Sequence, residues 1–188
     1  MTDLPQGFIL RQIQKDDIAN KLSLGDKSFT PLKTFLKKSA YEFHEYDIAK
    51  TFVLVEEKND GQSASIQIWG YITLMNSEII LNEDQRPKES SATTRYEAYP
   101  AVKIARLAID KRLQGKGYGG ELMDWCINHI RLGIMPNVGC RFIVVDSKKN
   151  SVQFYEKYGF TLLDIESNRE EETPLMFFDL YNHKQSDN

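Results

Sequence analysis

The sequence predicts a single domain of the α+β class. The chain has 188 residues, the length of one ordinary domain. Seven short runs rich in β-branched and large apolar residues are typical of strands. Two stretches repeat apolar residues at three- and four-residue steps, as amphipathic helices do. We expect one domain over residues 1–182, followed by a frayed polar tail at 183–188.

The first half of the chain is predicted to hold one clear helix and a hairpin. Residues 8–13 form the first predicted strand. Thr30 and Pro31 are expected to open the helix, because Thr can cap and Pro suits the first helical position. The apolar face of that helix is Leu32, Phe35, Leu36, Ala40 and Phe43. The runs 51–55 and 66–81 flank a turn-forming segment, 58–62, and are predicted to pair.

The segment 82–98 is predicted to be a long surface loop, because it is polar, contains Pro87 and lacks periodicity. It is either a disordered insertion or a segment whose tyrosines, Tyr96 and Tyr99, fold over a site. The later predicted strands are 102–109, 141–145, 160–163 and 175–178, and the later helices are 120–132 and 151–158. Residues 166–172 are predicted to form a loop, and the chain is expected to fray after Tyr181.

Composition and charge favour a globular protein over a dedicated nucleic-acid binder. Hydrophobic residues make up 41% of the chain, charged residues 27%, and the net charge is −3, with a pI of about 5.7. Nucleic-acid binders usually show a strong basic bias. Cys126 and Cys140 lie in no C-x-x-C motif and fit free thiols in a reducing compartment. We therefore expect a cytoplasmic protein without a secretory signal or a membrane-spanning segment.

Four glycines are clustered between a predicted strand and a predicted helix: Gly115, Gly117, Gly119 and Gly120. Glycine lets a ligand approach the backbone closely, and the free N–H groups at a helix N-terminus attract anions. The helix dipole adds about half a positive charge at that end. The cluster therefore predicts a site for a pyrophosphate.

Two nucleotide-binding fingerprints also contain clustered glycines, but neither matches this sequence well. Gly115, Gly117 and Gly120 satisfy G-x-G-x-x-G. However, five residues separate Ile109 from Gly115, no acidic residue lies about 20 positions on, and the preceding half does not alternate strand, helix and strand. A Walker loop fails because no Gly-Lys pair is followed by Ser or Thr.

The chain resembles the GNAT superfamily of N-acetyltransferases. Residues 112–117 (R-L-Q-G-K-G) match the family's pyrophosphate motif, Gln/Arg-x-x-Gly-x-Gly/Ala, and residues 107–110 (L-A-I-D) match the end of the strand before it. Downstream, the strand 142–146, Asn150 and residues 154–160 (F-Y-E-K-Y-G-F) follow in the family's order. The match is close over 102–160, looser at 53–74 and weak before residue 50. It implies the GNAT fold, a central mixed, mostly antiparallel sheet of about seven strands with helices on both faces.

The resemblance implies transfer of an acetyl group from acetyl-CoA to a primary amine. The implied cofactor-binding residues are Leu107, Ala108, Ile109, Gln114, Gly115, Lys116, Gly117, Tyr118, Gly119, Gly120, Asn150 and Tyr155. The backbone of 114–119 would hold the pyrophosphate, and the 102–109 strand would pair with the pantetheine arm where it splays from the 141–145 strand. The two implied catalytic groups are the Leu107 N–H, facing the thioester oxygen, and the Tyr155 hydroxyl, which would protonate the leaving thiolate. Packing inside its helix is the alternative role of Tyr155.

The candidate substrate residues are Arg106, Glu78 and Tyr71. Arg106 would contact RNA phosphate or a substrate carboxylate, or form a salt bridge with a neighbouring strand. Glu78 and Asp110 are candidate bases and also ordinary surface carboxylates, and water could serve instead. We expect no metal, because the three histidines show no ligand spacing.

Three functions remain open at this point. The first is an acetyltransferase for a small-molecule or protein amine. The second follows from the resemblance of residues 105–110 to a GNAT branch that includes toxins of toxin–antitoxin pairs, and is acetylation of aminoacyl-tRNA; the acidic pI ranks it lower. The third is a non-catalytic CoA-binding regulatory module. A homodimer and an antitoxin partner are left open.

Overall fold

The computed structural model describes residues 7–56 and 67–185, so the predicted turn at 58–62 lies outside the described residues. The strands are β1 Phe8–Gln12, β2 Lys50–Glu56, β3 Ile68–Ile80, β4 Ala98–Ile109, β5 Phe142–Asp146, β6 Thr161–Leu162 and β7 Leu175–Asp179. The α-helices are α1 Thr30–Lys38, α2 Ala40–Glu45, α3 Tyr118–His129, α4 Val152–Lys157, α5 Glu166–Glu170 and α6 Leu180–Gln185.

The strands form one mixed, seven-stranded sheet in the order β1-β2-β3-β4-β5-β7-β6. Antiparallel pairing joins β1 to β2, β2 to β3, β5 to β7 and β6 to β7, whereas β4 and β5 are parallel. The predicted fold class and the predicted β2–β3 hairpin are confirmed. The parallel register pairs residues 101–103 with 142–144, while β4 itself continues to Ile109.

The chain divides into two compact units, and the three boundaries fall inside β3, β4 and α3. The first unit comprises Met1–Met75 and Ala105–Cys126, and its core includes Val53, Ile68, Tyr71 and Ala108. The second comprises Asn76–Ile104 and Ile127–Asn188, and its core includes Ile79, Phe142, Val144 and Phe177. Each unit thus has a hydrophobic core of its own.

The predicted helix beginning at Thr30 is wrong in two respects. Ser39 has φ −130° and ψ −24°, which separates α1 from α2, and Phe43 is 36% exposed rather than part of one continuous apolar face. Thr30 does not cap the helix, because its hydroxyl donates to the Lys27 carbonyl at 2.6 Å. Pro31 does lie in the first turn, as predicted.

The segment 82–98 contains two short 3₁₀ turns, Glu83–Gln85 and Thr93–Arg95. Side-chain hydrogen bonds hold it, from the Arg86 Nε to the Leu81 carbonyl at 3.0 Å and from the Tyr99 hydroxyl to the Thr93 carbonyl at 2.8 Å. The segment is largely exposed, as expected of a surface loop. The alternative of a disordered insertion is not what the structure shows.

Two polar stretches predicted to lack structure form helices. The expected loop at 166–172 contains α5, and α6 extends beyond Tyr181 into the chain expected to fray. Asn168 explains the first, because its amide group donates to the Leu163 and Leu175 carbonyls and its oxygen accepts from the Leu175 N–H at 2.7 Å. Both partners lie close to the helix in sequence, on either side of it, but a run of polar residues does not by itself show that these bonds form.

Candidate active site

The glycine-rich turn lies between β4 and α3, as predicted. Gly115 and Gly117 have φ values of +74° and +92°, in the region where other residues are strained. A Cβ built on either glycine would meet no atom within 4 Å. Both glycines therefore face open space that a ligand could fill.

The amides of this turn fall into two groups. The Gln114 and Lys116 N–H groups donate to the Asp110 and Leu113 carbonyls, at 3.1 and 3.3 Å. Among the residues that the structure describes, no acceptor within the protein is found for the N–H groups of Gly115, Gly117, Tyr118 and Gly119. The last two belong to the first turn of α3, where the helix dipole is positive. Four unused donors beside two open glycines fit a pyrophosphate, and the donor set is narrower than the sequence implied.

Asp110 closes the base of the turn and is fully buried. Its carboxylate accepts from the Ser23 N–H at 2.9 Å and from the Arg112 N–H, Nε and Nη2 at 3.0, 2.8 and 3.0 Å. Burial raises the pKa of Asp110, but the hydrogen bonds from Arg112 and Ser23 outweigh it, so the pKa lies below its ordinary value. A carboxylate held in this way is a poor proton acceptor, which argues against Asp110 as the base.

The end of β4 carries the predicted cofactor strand. Ala108 and Ile109 are buried and Leu107 is half-buried. Sequence reasoning missed Gly70 on β3, where a Cβ would lie 2.7 Å from the Ile109 Cδ1 and 3.1 Å from the Ala108 carbonyl oxygen. A lone glycine within a strand is a known sign of close backbone approach, and this one lets β3 lie against the cofactor strand.

Arg106 and Tyr71 both contact α1. The Arg106 Cζ lies 4.1 Å from the centre of the Phe35 ring, and the Tyr71 hydroxyl donates to the Leu32 carbonyl at 2.8 Å. Burial raises the pKa of the Tyr71 phenol, against the opposing charge of Arg106. No carboxylate pairs with Arg106 within 7–56 and 67–182, so the salt bridge considered for it is not found there. Tyr71, fully buried with its hydroxyl bonded, is placed as a core residue.

The remaining predicted residues belong to the second unit. Tyr155 is 7% exposed on α4, with its ring 5.2 Å from Phe154 and 5.5 Å from Phe160. Asn150 and Glu78 are exposed. Gly159 ends α4 with φ +82°, as its position predicts, and the Phe160 N–H then donates to the Tyr155 carbonyl at 3.1 Å. Tyr155 is thus held by packing on its ring and by the end of its helix.

An aromatic cluster beside the glycine turn was also missed. The Tyr118 ring lies 5.3 Å from Phe8, which lies 6.1 Å from Trp69 in an edge-to-face arrangement. The Arg112 Cζ stands 4.0 Å from the centre of the Trp69 ring. The sequence does not indicate this cluster, because its aromatic residues lie far apart along the chain. Within the described residues no group of His, Cys, Asp and Glu could hold a metal, and no helix there is long and apolar enough to cross a membrane.

Residues 33–175 match the family model described as an acetyltransferase (GNAT) domain. The chain therefore belongs to the GNAT acetyltransferases. It is an N-acetyltransferase, and acetyl-CoA is its acetyl donor.

The chain is also similar to one curated protein and to several solved structures. Over 134 residues the chain is 29% identical to a "Probable toxin TacT" of Sinorhizobium fredii (strain NBRC 101917 / NGR234), covering 67% of this chain and 70% of that one. A tyrosine-to-phenylalanine mutant of KacT has a TM-score of 0.76 at 24% identity, covering 96% of this chain and 99% of KacT. AtaT complexed with acetyl-methionyl-tRNAfMet has a TM-score of 0.76 at 22% identity, covering 96% of this chain and 99% of AtaT.

Proposed function

We propose that this acetyltransferase acetylates the amino group of an aminoacyl-tRNA. The observation that carries the proposal is Arg106, a half-buried cation that stacks on α1 and for which the described residues supply no carboxylate. Residues 27–41, which include α1, hold Lys27, Lys33, Lys37 and Lys38 and no acidic residue. The similarity to TacT and to tRNA-bound AtaT supports the same acceptor.

The acidic pI of the whole chain is a weak objection to tRNA binding, because the two units differ in charge. The first unit holds 13 Lys+Arg and 13 Asp+Glu, so its formal charge is zero. The second unit holds 11 and 14, which accounts for the whole net charge of −3. The acidic excess is therefore separate from the unit that contains Arg106 and the α1 lysines. Local lysines and arginines can neutralise phosphates whatever the total charge.

On the donor side, the N–H groups of Gly115, Gly117, Tyr118 and Gly119 would hold the pyrophosphate. The backbone of Leu107–Ile109 would pair with the pantetheine arm, and Asn150 would contact the cofactor, as the family resemblance implies. Bound acetyl-CoA supplies the acetyl group as a thioester. The Leu107 N–H would donate to the thioester oxygen as charge develops on it.

The reaction we propose is direct attack by a neutral amine. The amine nitrogen bonds to the thioester carbon, the carbon–sulfur bond breaks, and the Tyr155 hydroxyl donates its proton to the departing sulfur. The proton lost by the nitrogen passes to solvent, from which Tyr155 regains its own. Because aminoacyl-tRNA is a cytoplasmic substrate, we place the protein in the cytoplasm. AtaT has been solved with the C-terminus of its antitoxin AtaR, and a partner of that kind belongs to the proposal.

An acceptor screen tests the substrate. The purified full chain is incubated with labelled acetyl-CoA and, separately, with charged tRNA, polyamines, amino acids, aminoglycosides and peptides. We expect labelling of charged tRNA, with an Arg106→Gln variant raising the KM for tRNA and an Arg169→Gln variant, altered in an exposed ion pair, unchanged. Labelling of a small or peptide amine with none of tRNA would instead support the amine acetyltransferase.

A conservative substitution tests the proposed acid. Tyr155→Phe is expected to lower the acetylation rate on the order of 100-fold, because the leaving sulfur loses its proton donor. Binding of CoA should be unchanged, since the ring and its packing remain. Tyr158→Phe, at the residue that follows α4, is the matched control. An unaltered rate in Tyr155→Phe would remove Tyr155 from the mechanism.

A further inference from the structure

We infer that Asp110 and Arg112 preset the glycine turn for its anion, fixing the backbone of the free protein in the geometry that the pyrophosphate needs. They are positioning residues and need not touch the cofactor. The inference rests on the proposed acetyl-CoA site. It goes further by giving a role to a buried carboxylate and to the arginine that opens the pyrophosphate motif.

Every polar group of Asp110 is bonded within the protein. Its N–H donates to the Trp69 carbonyl at 2.7 Å, and its carbonyl accepts from the N–H groups of Leu113 and Gln114 at 2.8 and 3.1 Å. Its carboxylate accepts four further donors, three of them from Arg112. Asp110 therefore holds the backbone of residues 110–114 from a fully buried position.

The Arg112 side chain faces this carboxylate, although about half of it is exposed to solvent. Its exposed fraction is 53%, yet Nε and Nη2 form a two-point contact with the two Asp110 oxygens, and its flat face covers Trp69. Such a fork fixes orientation as well as charge, which a single ammonium group could not do. An arginine at the start of a phosphate-binding motif could also contact phosphate directly. In this structure the Arg112 side chain instead binds the Asp110 carboxylate at the base of the turn.

A second attachment joins the turn to the segment before α1. The Lys111 N–H donates to the Ser23 carbonyl at 2.7 Å, and the Ser23 N–H returns a bond to Asp110. The Gln114 side-chain Nε2 donates to the Leu24 and Ile109 carbonyls at 3.4 and 2.9 Å. Residues 110–114 are thus fixed on two sides. The amides without an acceptor begin at Gly115, immediately after this fixed base.

A fixed segment at 110–114 followed by amides without an acceptor suits a site whose donors are backbone groups. A cradle of amides binds an anion well only if its dihedral angles are already set, because ordering a loose loop on binding lowers the affinity. The glycines at 115 and 117 supply conformations that other residues resist, but glycine alone supplies no rigidity. The Asp110–Arg112 pair supplies it.

The test uses Asp110→Asn in the full chain. Asparagine keeps the shape but turns one oxygen into an NH₂ group, which then faces either Ser23 N–H and Arg112 Nη2 or the other two Arg112 donors. We expect the Kd for CoA, measured by calorimetry, to rise at least tenfold. We also expect hydrogen exchange at 111–119 to quicken in the CoA-free protein. With saturating acetyl-CoA the turnover should stay within about twofold of the wild type, so the defect appears in KM.

Two further variants make the result specific. Arg112→Lys keeps the charge but loses the fork, and should fall between the wild type and Asp110→Asn in both measurements. It also serves if Asp110→Asn does not fold. Asp47→Asn is the matched control, because Asp47 is an exposed aspartate paired with Lys50, and its Kd for CoA should be unchanged.

Three results would overturn the inference or its basis, and they are distinguishable. A Kd within twofold of the wild type in Asp110→Asn and Arg112→Lys would overturn it. A weaker Kd with unchanged hydrogen exchange in the CoA-free protein would also overturn it, because Arg112 would then act on the phosphates directly. A wild-type protein that does not bind CoA would contradict the proposed function itself, whatever the exchange data show.

Discussion

Gly117 allows the backbone requirement of the turn to be separated from its ligand contact. Its φ of +92° is unfavourable for alanine, and a Cβ there would meet no protein atom within 4 Å. Gly117→Ala therefore introduces backbone strain without a clash. Gly7 offers a matched control, because its φ is +89° and a Cβ on it would also meet nothing.

The expected loss of stability is small. A left-handed conformation costs an L-residue about 1–2 kcal/mol. Alanine regains about 0.4–1 kcal/mol by restricting the unfolded chain. The net loss of about 1 kcal/mol lowers the melting temperature of a chain of this size by about 2–4 °C. Gly117→Ala and Gly7→Ala should therefore melt at similar temperatures.

The expected loss of CoA affinity differs between the two variants. The added methyl group of Gly117→Ala would occupy space that no protein atom fills, next in sequence to Tyr118 and Gly119, whose N–H groups have no acceptor among the described residues. An anion must come within about 3 Å of those amides to bind them. We expect the Kd for CoA to rise at least tenfold, or about 1.4 kcal/mol, in Gly117→Ala and not at all in Gly7→Ala.

Calorimetric unfolding and CoA titration on the same preparations provide the measurement. If Gly117→Ala melts early but binds CoA as the wild type does, the pyrophosphate does not lie against this turn. If Gly7→Ala weakens binding equally, the effect is a general consequence of strain. Either result would refute the placement of the anion at the glycine turn.

Two further predictions concern stability. Burial, and then the charge of Lys50, lower the pKa of His44, whose Nδ1 accepts the Thr51 N–H at 3.1 Å. As the pH falls, the unfolded chain therefore binds the proton before the folded protein does. The stability from His44 is complete above pH about 6.5 and is lost as the pH falls towards the lowered pKa of the folded state. Urea midpoints at pH 7.5 and 5.5 should differ more in the wild type than in His44→Gln. Arg141 binds Asp179 through two hydrogen bonds of 2.8 Å, and both side chains are mostly buried. Arg141→Gln should cost about 1.5–3 kcal/mol by thermal unfolding, whereas Arg169→Gln, in an exposed pair, should cost less than about 0.5 kcal/mol, and equal losses would contradict the burial argument.

The strands and the glycine turn were predictable because their causes are local. A buried strand needs a short apolar run, and the positive φ values at Gly115 and Gly117 need glycine at those positions. The break at Ser39 was not predictable, since the apolar spacing continues across it. The helix α5 depends on Asn168 bonding to the Leu163 and Leu175 carbonyls, which a run of polar residues does not indicate.

The site divides in the same way. Its donor side is predicted to use backbone groups, and the sequence reveals these through the residues that permit the backbone shape. What it could not reveal is which amides remain free, because that depends on Asp110 satisfying those of Leu113 and Gln114. The acceptor side depends on side chains such as Arg106 and Phe35, which lie 71 positions apart and meet only in the fold.

Neither candidate for the general base is supported by the described residues, and this bears on the choice of acceptor. Asp110 is bonded to four donors and its pKa is lowered, and Glu78 is an exposed strand residue. An enzyme without a dedicated base acts best on an amine that is already partly neutral. A lysine side chain, with a pKa of about 10.4, is less than one-thousandth neutral at pH 7, whereas an α-amino group with a pKa of about 7.7–8.0 is roughly one-tenth neutral. The same feature that leaves the base unassigned therefore favours an α-amino acceptor, such as the aminoacyl group of a charged tRNA, over a lysine side chain.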